Sequence, residues 1–317
     1  MDIRRLQCFQ AVVEEKVLTR AAERLRLAPS ALSRQVVLLE HEIGRPLFSR
    51  EGKRLIPTAE GIFLYQRSSI VLRDIALLRQ DVAAFASEPS GKVRLGTPPS
   101  LRDLITIPVL DAVLRRYPKV TVVLEEGMAM SLRDKLADGS VDLAVLPTVE
   151  PMADMHLVPL ACESTVIVGP PASALSMKRP VTVNQLLDHP LICSPPMNSL
   201  RKILDLAAHK AKRAPNIRVE TNLAETLIAL VEVGQGFGFL PASGVQRAVR
   251  EKRVCAAPVK GLSMEWVLAR RKNLASSPVV RALEEILLAQ VASLLAKGGW
   301  PTANRSRLQL PVAPSKT

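Results

Sequence analysis

A long segment without helix breakers is the feature that most constrains the fold. Residues 58–87 contain no proline, and their only glycine, Gly61, lies near the start. Apolar residues repeat there every seven positions in two complementary registers, as in the a and d positions of a coiled coil. A helix of about 30 residues is about 45 Å long, more than a small domain needs. We therefore predict a linker helix over 58–88 that dimerises, with a single buried helix as the alternative. The expected interface residues are Leu64, Val71, Ile75, Leu78, Val82 and Phe85.

Residues 1–57 have apolar residues at helical spacing, which predicts three short helices. Thr19 is expected to cap the second helix, over 20–27. Pro29 is expected to begin the third helix and Gly44 to end it. One narrow stripe of that helix should be buried, formed by Leu32, Val36, Leu39 and Ile43. A hairpin over 48–56, turning at 51–52, should follow. This order predicts a winged helix-turn-helix DNA-binding domain over 1–57.

Polar and basic side chains occupy the outward faces of these elements. Ser30, Ser33 and Arg34 would lie on the face of the third helix that enters the major groove. Of the remaining candidates, Pro29 would begin the third helix. The others would bind phosphates, namely Thr19, Arg20, Arg50, Lys53 and Arg54. The formal net charge of +13 suits a polyanionic partner. A merely solvated charged face is the alternative for each residue alone. The full set of expected DNA contacts is Thr19, Arg20, Pro29, Ser30, Ser33, Arg34, Arg50, Lys53 and Arg54.

From residue 92 onward, strand and helix patterns alternate, which predicts an α/β domain over 92–300. Two subdomains with a cleft between them are expected, the first over 92–161 and 267–300 and the second over 162–266. Predicted elements include strands over 164–168 and 264–269 and helices over 100–116 and 199–213. Ser100 and Asp103 have the spacing of a capping box. Three prolines and few acidic residues predict a mobile tail over 301–317.

An ordered set of motifs resembles the LysR-type transcriptional regulators. The matching segments are 18–25, 30–35, 39–40, 44–48, Arg50 and 57–61. The resemblance covers nearly the whole chain, and 97–101 and 298–301 are most similar to the branch of nitrogen assimilation control regulators. It implies an all-α winged head, a linker helix, and an effector domain resembling type 2 periplasmic binding proteins. It also implies homodimers or homotetramers, RNA polymerase as a partner, and control of promoters by a small molecule.

This chain departs from the family pattern at the start of the third helix. The family often has Gln at the position of Pro29 and Pro at that of Ser30. Positions 37 and 38 are commonly basic in the family and are Val37 and Leu38 here. The side-chain amide that Gln would offer to adenine is therefore absent at position 29. We expect base recognition to depend on Ser30, Ser33, Arg34 and the hairpin, and the recognised sequence to differ from the usual one.

The cleft has candidate effector-binding residues near two predicted helix N-termini. Thr97 and Ser100 lie at the first, and Asn198 and Ser199 at the second. Free N–H groups there favour an anion such as a carboxylate or sulfate. The resemblance adds Thr148 and Phe237 to the expected lining. The alternatives are that Ser100 and Asn198 are ordinary caps and that the cleft needs no effector.

Several other function classes lack support in the sequence. No apolar run reaches the ~18 residues of a membrane span, and the N-terminus resembles no signal peptide, so we expect a cytoplasmic protein. The four cysteines and four histidines have no metal-ligand spacing. No nucleophile elbow or P-loop occurs, and the glycines at 234–238 do not match a dinucleotide fingerprint, so no enzyme, cofactor or metal is expected. The remaining alternatives are a nonspecific architectural DNA-binding protein and a small-molecule-binding protein without a specific DNA role.

Overall fold

The computed structural model describes residues 2–51, 54–83, 88–148, 152, 154–272 and 277–304. The chain falls into two compact units that divide near residue 87. The first unit is mainly helical. Its elements are α1 (Ile3–Glu15), α2 (Leu18–Leu25), α3 (Pro29–Ile43), β1 (Phe48–Glu51), β2 (Arg54–Pro57) and α4 (Ala59–Ala83).

Local chemistry sets most of the helix ends in the helical unit. Pro29 occupies the first turn of α3, and Gly44 ends it in the left-handed conformation, as predicted. The predicted cap at Thr19 is wrong, because α2 begins at Leu18 and Thr19 lies inside its first turn. Leu18 packs against the core, so packing rather than a cap fixes this helix start. Ile43 is 37% exposed, so the predicted buried stripe of α3 ends at Leu39.

The first half of α4 packs onto α1 within the helical unit. Leu64, Tyr65 and Leu72 cover a cluster that contains Leu6 and Phe9. The side-chain amide of Gln10 donates to the hydroxyl groups of two adjacent serines of α4, at 3.3 and 2.8 Å. Leu64 therefore contributes to the core of its own unit. The hairpin pairs β1 with β2 in antiparallel register, Phe48 opposite Pro57, and its turn lies outside the described residues.

The second unit contains an eight-stranded mixed sheet in the order β4-β3-β5-β10-β6-β9-β7-β8. Strands β3 to β5 are parallel to one another, and so are β7 to β9. The strands are β3 (Gly91–Thr97), β4 (Val120–Glu126), β5 (Leu143–Thr148), β6 (Met155–Gly169), β7 (Leu191–Cys193), β8 (Ile217–Glu220), β9 (Phe237–Pro241) and β10 (Cys255–Arg271). The helices are α5 (Ile107–Arg116), α6 (Ala129–Ala137), α7 (Val183–Leu187), α8 (Ser199–Lys210), α9 (Ala224–Glu232), α10 (Gln246–Arg250) and α11 (Pro278–Ala296).

Two long antiparallel strands, β6 and β10, connect the two groups of parallel strands. Residues 265–269 of β10 pair with β5, whereas residues 165–168 of β6 pair with β9. The strands predicted over 164–168 and 264–269 are therefore much too short. Proline and glycine at 159, 258 and 261 resemble strand ends in the sequence. The ladder instead absorbs such interruptions through register shifts between Pro258 and Ser263 and between Trp266 and Val267.

The predicted helix over 100–116 is three consecutive pieces. A 3-10 turn, Pro99–Leu101, and one π-helical turn, Arg102–Thr106, precede α5. Ser100 therefore lies inside a turn and caps nothing, contrary to the prediction. Pro108 has no N–H for a bond to the carbonyl of Leu104, so the α-helical bonding is interrupted before it, and the proline lies in the first turn of α5.

The last described residues do not form the start of a mobile tail, contrary to the prediction for 301–317. Cys162 and Asn304 exchange two backbone hydrogen bonds of 3.0 Å. The backbone N–H of Ser164 donates to Oγ1 of Thr302 at 3.1 Å. Residues 300–304 are called the strap below. The prediction for 305–317 lies outside the described residues.

Candidate functional site

The outward face of α3 carries polar residues and one cation near its start, and further along the helix it exposes the apolar side chains of Val37 and Leu38. Pro29, Ser30 and Arg34 are exposed, and Ser33 is half-buried. Ala28 precedes the helix without a side-chain cap bond, so the first N–H groups of α3 are free to meet an acceptor. Among the described residues, nothing forms a hydrogen bond or ion pair with the guanidinium of Arg34. That side chain is therefore available to an external partner.

Three further exposed candidates lie on neighbouring elements. Thr19 and Arg20 are on α2, and Arg54 is on β2. Arg24, in contrast, lies within 2.6 Å of Glu14 and 3.2 Å of Glu15 and is neutralised inside the unit. The backbone of the remaining hairpin candidate, Arg50, pairs with Leu55 in the hairpin, whereas Lys53 lies outside the described residues.

The second half of α4 exposes much of its predicted seam. Val71, Leu78 and Val82 are 48%, 58% and 71% exposed, and Ile75 is half-buried. Large apolar side chains at this exposure on a regular seven-residue repeat form an apolar stripe of the kind found in coiled coils. Leu64 belongs to the core described above, and the predicted contact Phe85 lies outside the described residues.

A cavity of about 520 Å³ opens in the α/β unit. One wall consists of residues at or directly after the ends of β3 and β4. The other wall consists of residues in or beside α8, α9 and α10, and β10 contributes residues to the floor. Its apolar lining consists mainly of Leu104, Met128, Leu200, Leu223, Leu227, Leu240, Met264 and Trp266. This volume and lining suit a small organic molecule.

Of the six predicted effector residues, Ser100 and Asn198 line this cavity. Asn198 is also the N-cap of α8, accepting from the N–H of Leu200 at 2.9 Å. Ser199 lines a smaller neighbouring pocket of about 70 Å³.

The other three predicted effector residues do not line the large cavity. Thr97 is fully buried and accepts a 3.0 Å hydrogen bond from the hydroxyl of Thr106. Thr148 lies in the sheet beside β10. The Phe237 ring stacks on the ring of His189, with 3.9 Å between the centroids.

Charged side chains that the sequence analysis missed surround the cavity. Arg102 binds Glu126 through two hydrogen bonds, of 2.8 and 2.7 Å. Arg247 pairs with a glutamate on its own helix at 2.9 Å. Arg250 also lines the cavity, and within the described residues it forms no hydrogen bond or salt bridge. The basic run 247–253 was the available sequence signal, but spacing alone did not orient it toward the cleft.

No metal or redox centre is built from the described residues. They hold no group of three or more His, Cys, Asp or Glu that could bind a metal ion. The four cysteines all lie in the described part of the chain and form no disulfide there, and burial raises the pKa of Cys8 and of Cys193. A raised pKa favours the protonated thiol. Within the same part of the chain, no helix has the length and apolarity to cross a membrane.

Two family models match this chain. The "Bacterial regulatory helix-turn-helix protein, lysR family" model matches residues 3–62, and the "LysR substrate binding domain" model matches residues 86–292. The nitrogen assimilation regulatory protein nac of Escherichia coli is 29% identical over 312 residues, covering 95% of this chain and 99% of the relative. Its counterpart in Klebsiella aerogenes is 30% identical over 300 residues, covering 92% and 96%.

Solved structures share the fold at lower identity. A full-length OxyR variant from Pseudomonas aeruginosa has a TM-score of 0.70 at 21% identity, covering 92% of this chain and 97% of that one. Full-length CbnR, solved in complex with its target DNA, has a TM-score of 0.65 at 20% identity, covering 92% and 100%. The two family models together account for both units of the chain. This chain therefore belongs to the LysR family of bacterial helix-turn-helix transcriptional regulators.

Proposed function

We propose that this chain is a sequence-specific DNA-binding regulator whose α3 enters the major groove. The observation that carries the proposal is the exposed, unpaired guanidinium of Arg34 on the outward face of α3. Ser30, Ser33 and Arg34 contact base edges, and Arg34 is suited to bidentate recognition of guanine. The surrounding cations bind phosphates and fix the register of the protein on DNA.

Selection of genomic fragments by the purified protein, with excess competitor DNA at fixed salt, tests specificity. A few enriched sites that share an interrupted palindrome support a specific dimeric regulator. Flat enrichment refutes it for the free protein and favours an architectural DNA-binding role.

Two arginine variants separate base recognition from phosphate binding. Arg34→Ala should reduce the preference for the selected site by about 1–3 kcal/mol. Arg54→Ala should weaken binding to all sequences and lower the salt slope by about one. Arg24→Ala is the matched control, because Arg24 is already paired with two glutamates. If Arg34→Ala retains full site preference, Arg34 does not contact the bases.

We also propose that α4 forms a homodimer through its exposed seam, Val71, Ile75, Leu78 and Val82. Leu78→Lys places a charge in that seam and should shift the protein toward monomer in sedimentation velocity. Arg79→Ala, at the next exposed position, is the control. An unchanged dimer in Leu78→Lys excludes this seam. Assembly of dimers into homotetramers and contact with RNA polymerase belong to the same proposal, as does action in the cytoplasm, where the DNA lies.

We infer that the cavity binds a small anionic effector, with a carboxylate as the expected group. Arg250 supports this inference, since it lines the cavity, is exposed, and forms no hydrogen bond or salt bridge with another described residue. The N-terminus of α8 adds N–H groups beside Asn198. Ligand bound between subdomains 92–161 with 267–300 and 162–266 would favour one arrangement of the cleft and so alter promoter activity.

Thermal shift with a panel of C2–C8 mono- and dicarboxylates tests the effector class. A stabilising carboxylate should lose at least about tenfold in affinity in Arg250→Gln, since a charge-assisted hydrogen bond contributes about 1.5–3 kcal/mol. Arg281→Gln, exposed on α11, is the control. Stabilisation that is equal in both variants refutes the role of Arg250. No stabilisation by any member of the panel refutes a carboxylate of this size, and leaves regulation without an effector as the alternative.

A further inference from the structure

A buried carboxylate lies directly behind the cavity. Glu163 on β6 is 0% exposed, and no cation pairs with it among the described residues. Its Oε1 accepts from the Ser243 hydroxyl at 2.9 Å and from the Trp266 indole N–H at 2.5 Å. Its Oε2 accepts from the Ser243 backbone N–H at 2.9 Å and from the Trp300 indole N–H at 3.2 Å. Four donors thus satisfy the two oxygens.

The donors belong to two parts of the unit, the cavity wall and the strap. Ser243 and Trp266 line the cavity. Trp300 is not among the residues that line the cavity. It begins the strap, whose residues Thr302 and Asn304 bond to β6 on either side of Glu163. One side chain therefore touches the wall of the cavity and the anchored C-terminal segment at once.

The donor set makes this carboxylate sensitive to displacement. Burial raises the pKa of Glu163, and the hydrogen bonds oppose that effect. Each oxygen accepts two of the four hydrogen bonds, and among the described residues no further group donates to either, so no other donor is in place to replace one that moves away. Withdrawal of one donor leaves the buried group one hydrogen bond short, and because one side chain accepts from all the other donors, any shift of that carboxylate disturbs their bonds as well.

We propose that Glu163 is a positioning residue that couples the cavity wall to the strap. A molecule that shifts Trp266 or Ser243 weakens the anchor of Trp300, and a strap held in place keeps the two wall residues in position. Linkage requires the coupling to be equal in both directions. Its regulatory meaning rests on the proposed function, namely that the cavity is occupied by an effector.

Hydrogen exchange of the full-length protein, without ligand or DNA, tests the coupling from both sides. Trp300→Phe keeps a large aromatic ring and removes the N–H, whereas Ser243→Ala removes the hydroxyl donor. Trp300→Phe should speed exchange of the Ser243 amide by about tenfold, the scale of one hydrogen bond to a charged group. Ser243→Ala should speed exchange of the Cys162 and Ser164 amides by a similar factor.

Two controls separate coupling from general loosening. Thr302→Val removes the partner of the Ser164 amide but no donor to Glu163, so it should speed exchange of the Ser243 amide less than Trp300→Phe does. Met264→Leu changes the cavity lining and should leave the strap unchanged. Exchange that rises only within the mutated segment, in both Trp300→Phe and Ser243→Ala, overturns the proposal. Since no effector is added, this result is independent of whether any carboxylate binds.

Discussion

Gly61 is the position where α4 approaches the hairpin too closely for any side chain. A Cβ atom built on Gly61 would lie 2.2 Å from the carbonyl oxygen of Leu47 and 3.3 Å from Cβ of Pro57. That oxygen already accepts from the N–H of Thr58 at 3.0 Å, so its position is fixed. Gly61→Ala therefore forces α4 and the hairpin apart by about 1 Å to restore ordinary contact.

Two effects of opposite sign decide the outcome of Gly61→Ala. Helix propensity alone favours alanine over glycine by about 1 kcal/mol. Overpacking against backbone costs about 1–3 kcal/mol, with more expected where the obstacle cannot rotate away. We expect a net loss of about 1–2 kcal/mol in the stability of the helical unit, and weaker DNA binding because the hairpin moves.

Hydrogen exchange of the slowest amides in α1 and α3 measures this loss. Tryptophan fluorescence serves as an internal control, since both tryptophans of the chain, Trp266 and Trp300, lie in the α/β unit. Its unfolding transition should not change. Glu60→Ala, at the preceding exposed position, should cost less than about 1 kcal/mol. An equal or increased stability of Gly61→Ala would show that the helix relaxes freely and that close approach does not explain the glycine.

Three further predictions concern buried or shared polar groups. Oε1 of Glu40 accepts from the N–H groups of Leu47 and Phe48. Glu40→Ala should therefore lower the stability of the helical unit by about 1–3 kcal/mol, measured by hydrogen exchange of α3 amides, and Glu40→Gln should lower it much less. Equal losses in the two variants would show that the shared acceptor is unimportant. Because the pKa of Glu163 is raised above its ordinary 4.5, the folded protein binds this proton more tightly than the unfolded chain. Its contribution to stability is therefore full at low pH and falls as pH rises above 4.5. Denaturation followed by tryptophan fluorescence should show wild type losing stability relative to Glu163→Gln over this range, and a relative gain would contradict the raised pKa. The guanidinium of Arg201, 12% exposed, binds the carboxylates of Asp205 and Glu220 and the carbonyl of Ser194. Because a lysine ammonium cannot reproduce this planar arrangement of donors, Arg201→Lys should lower stability by about 2 kcal/mol in the same assay. No loss would show that a single positive charge suffices.

Features set by a few neighbouring residues could be predicted from the sequence. Pro29 and Gly44 mark the ends of α3, and Asn198 marks the start of α8, because each residue satisfies a backbone requirement of its own turn. The glycine turn at 234 follows the same rule, since it closes α9 with φ +78° before a buried strand. The same rule fails where packing sets the helix start instead, as it does at Thr19.

Features set by distant partners could not be predicted in this way. The lengths of β6 and β10 depend on their pairing with each other, which outweighs the proline within each strand. The hydroxyl of Thr97 accepts from the hydroxyl of Thr106, nine residues further along the chain. Its position at the end of a strand therefore led to the wrong expectation that it faces the cavity. Glu163 looks like a surface acid in the sequence, and only the fold brings two indoles and a serine to it.

Several residues that identify the family perform a structural task in the helical unit, and they are not among the residues proposed to recognise DNA. Glu40 and Thr58 tie the hairpin to the helices, since Glu40 accepts from the start of β1 and Thr58 donates to the carbonyl of Pro46 at 2.9 Å. Gly61 lets α4 pass beside that junction. The hydrogen bonds of Glu40 and Thr58 and the close approach at Gly61 lie within the protein, so none of them requires a particular DNA sequence. The outward positions of α3, where this chain departs from the family pattern, are free to vary without disturbing the junction. A LysR scaffold is therefore compatible with an operator unlike those of its relatives, and the operator must be determined on this protein itself.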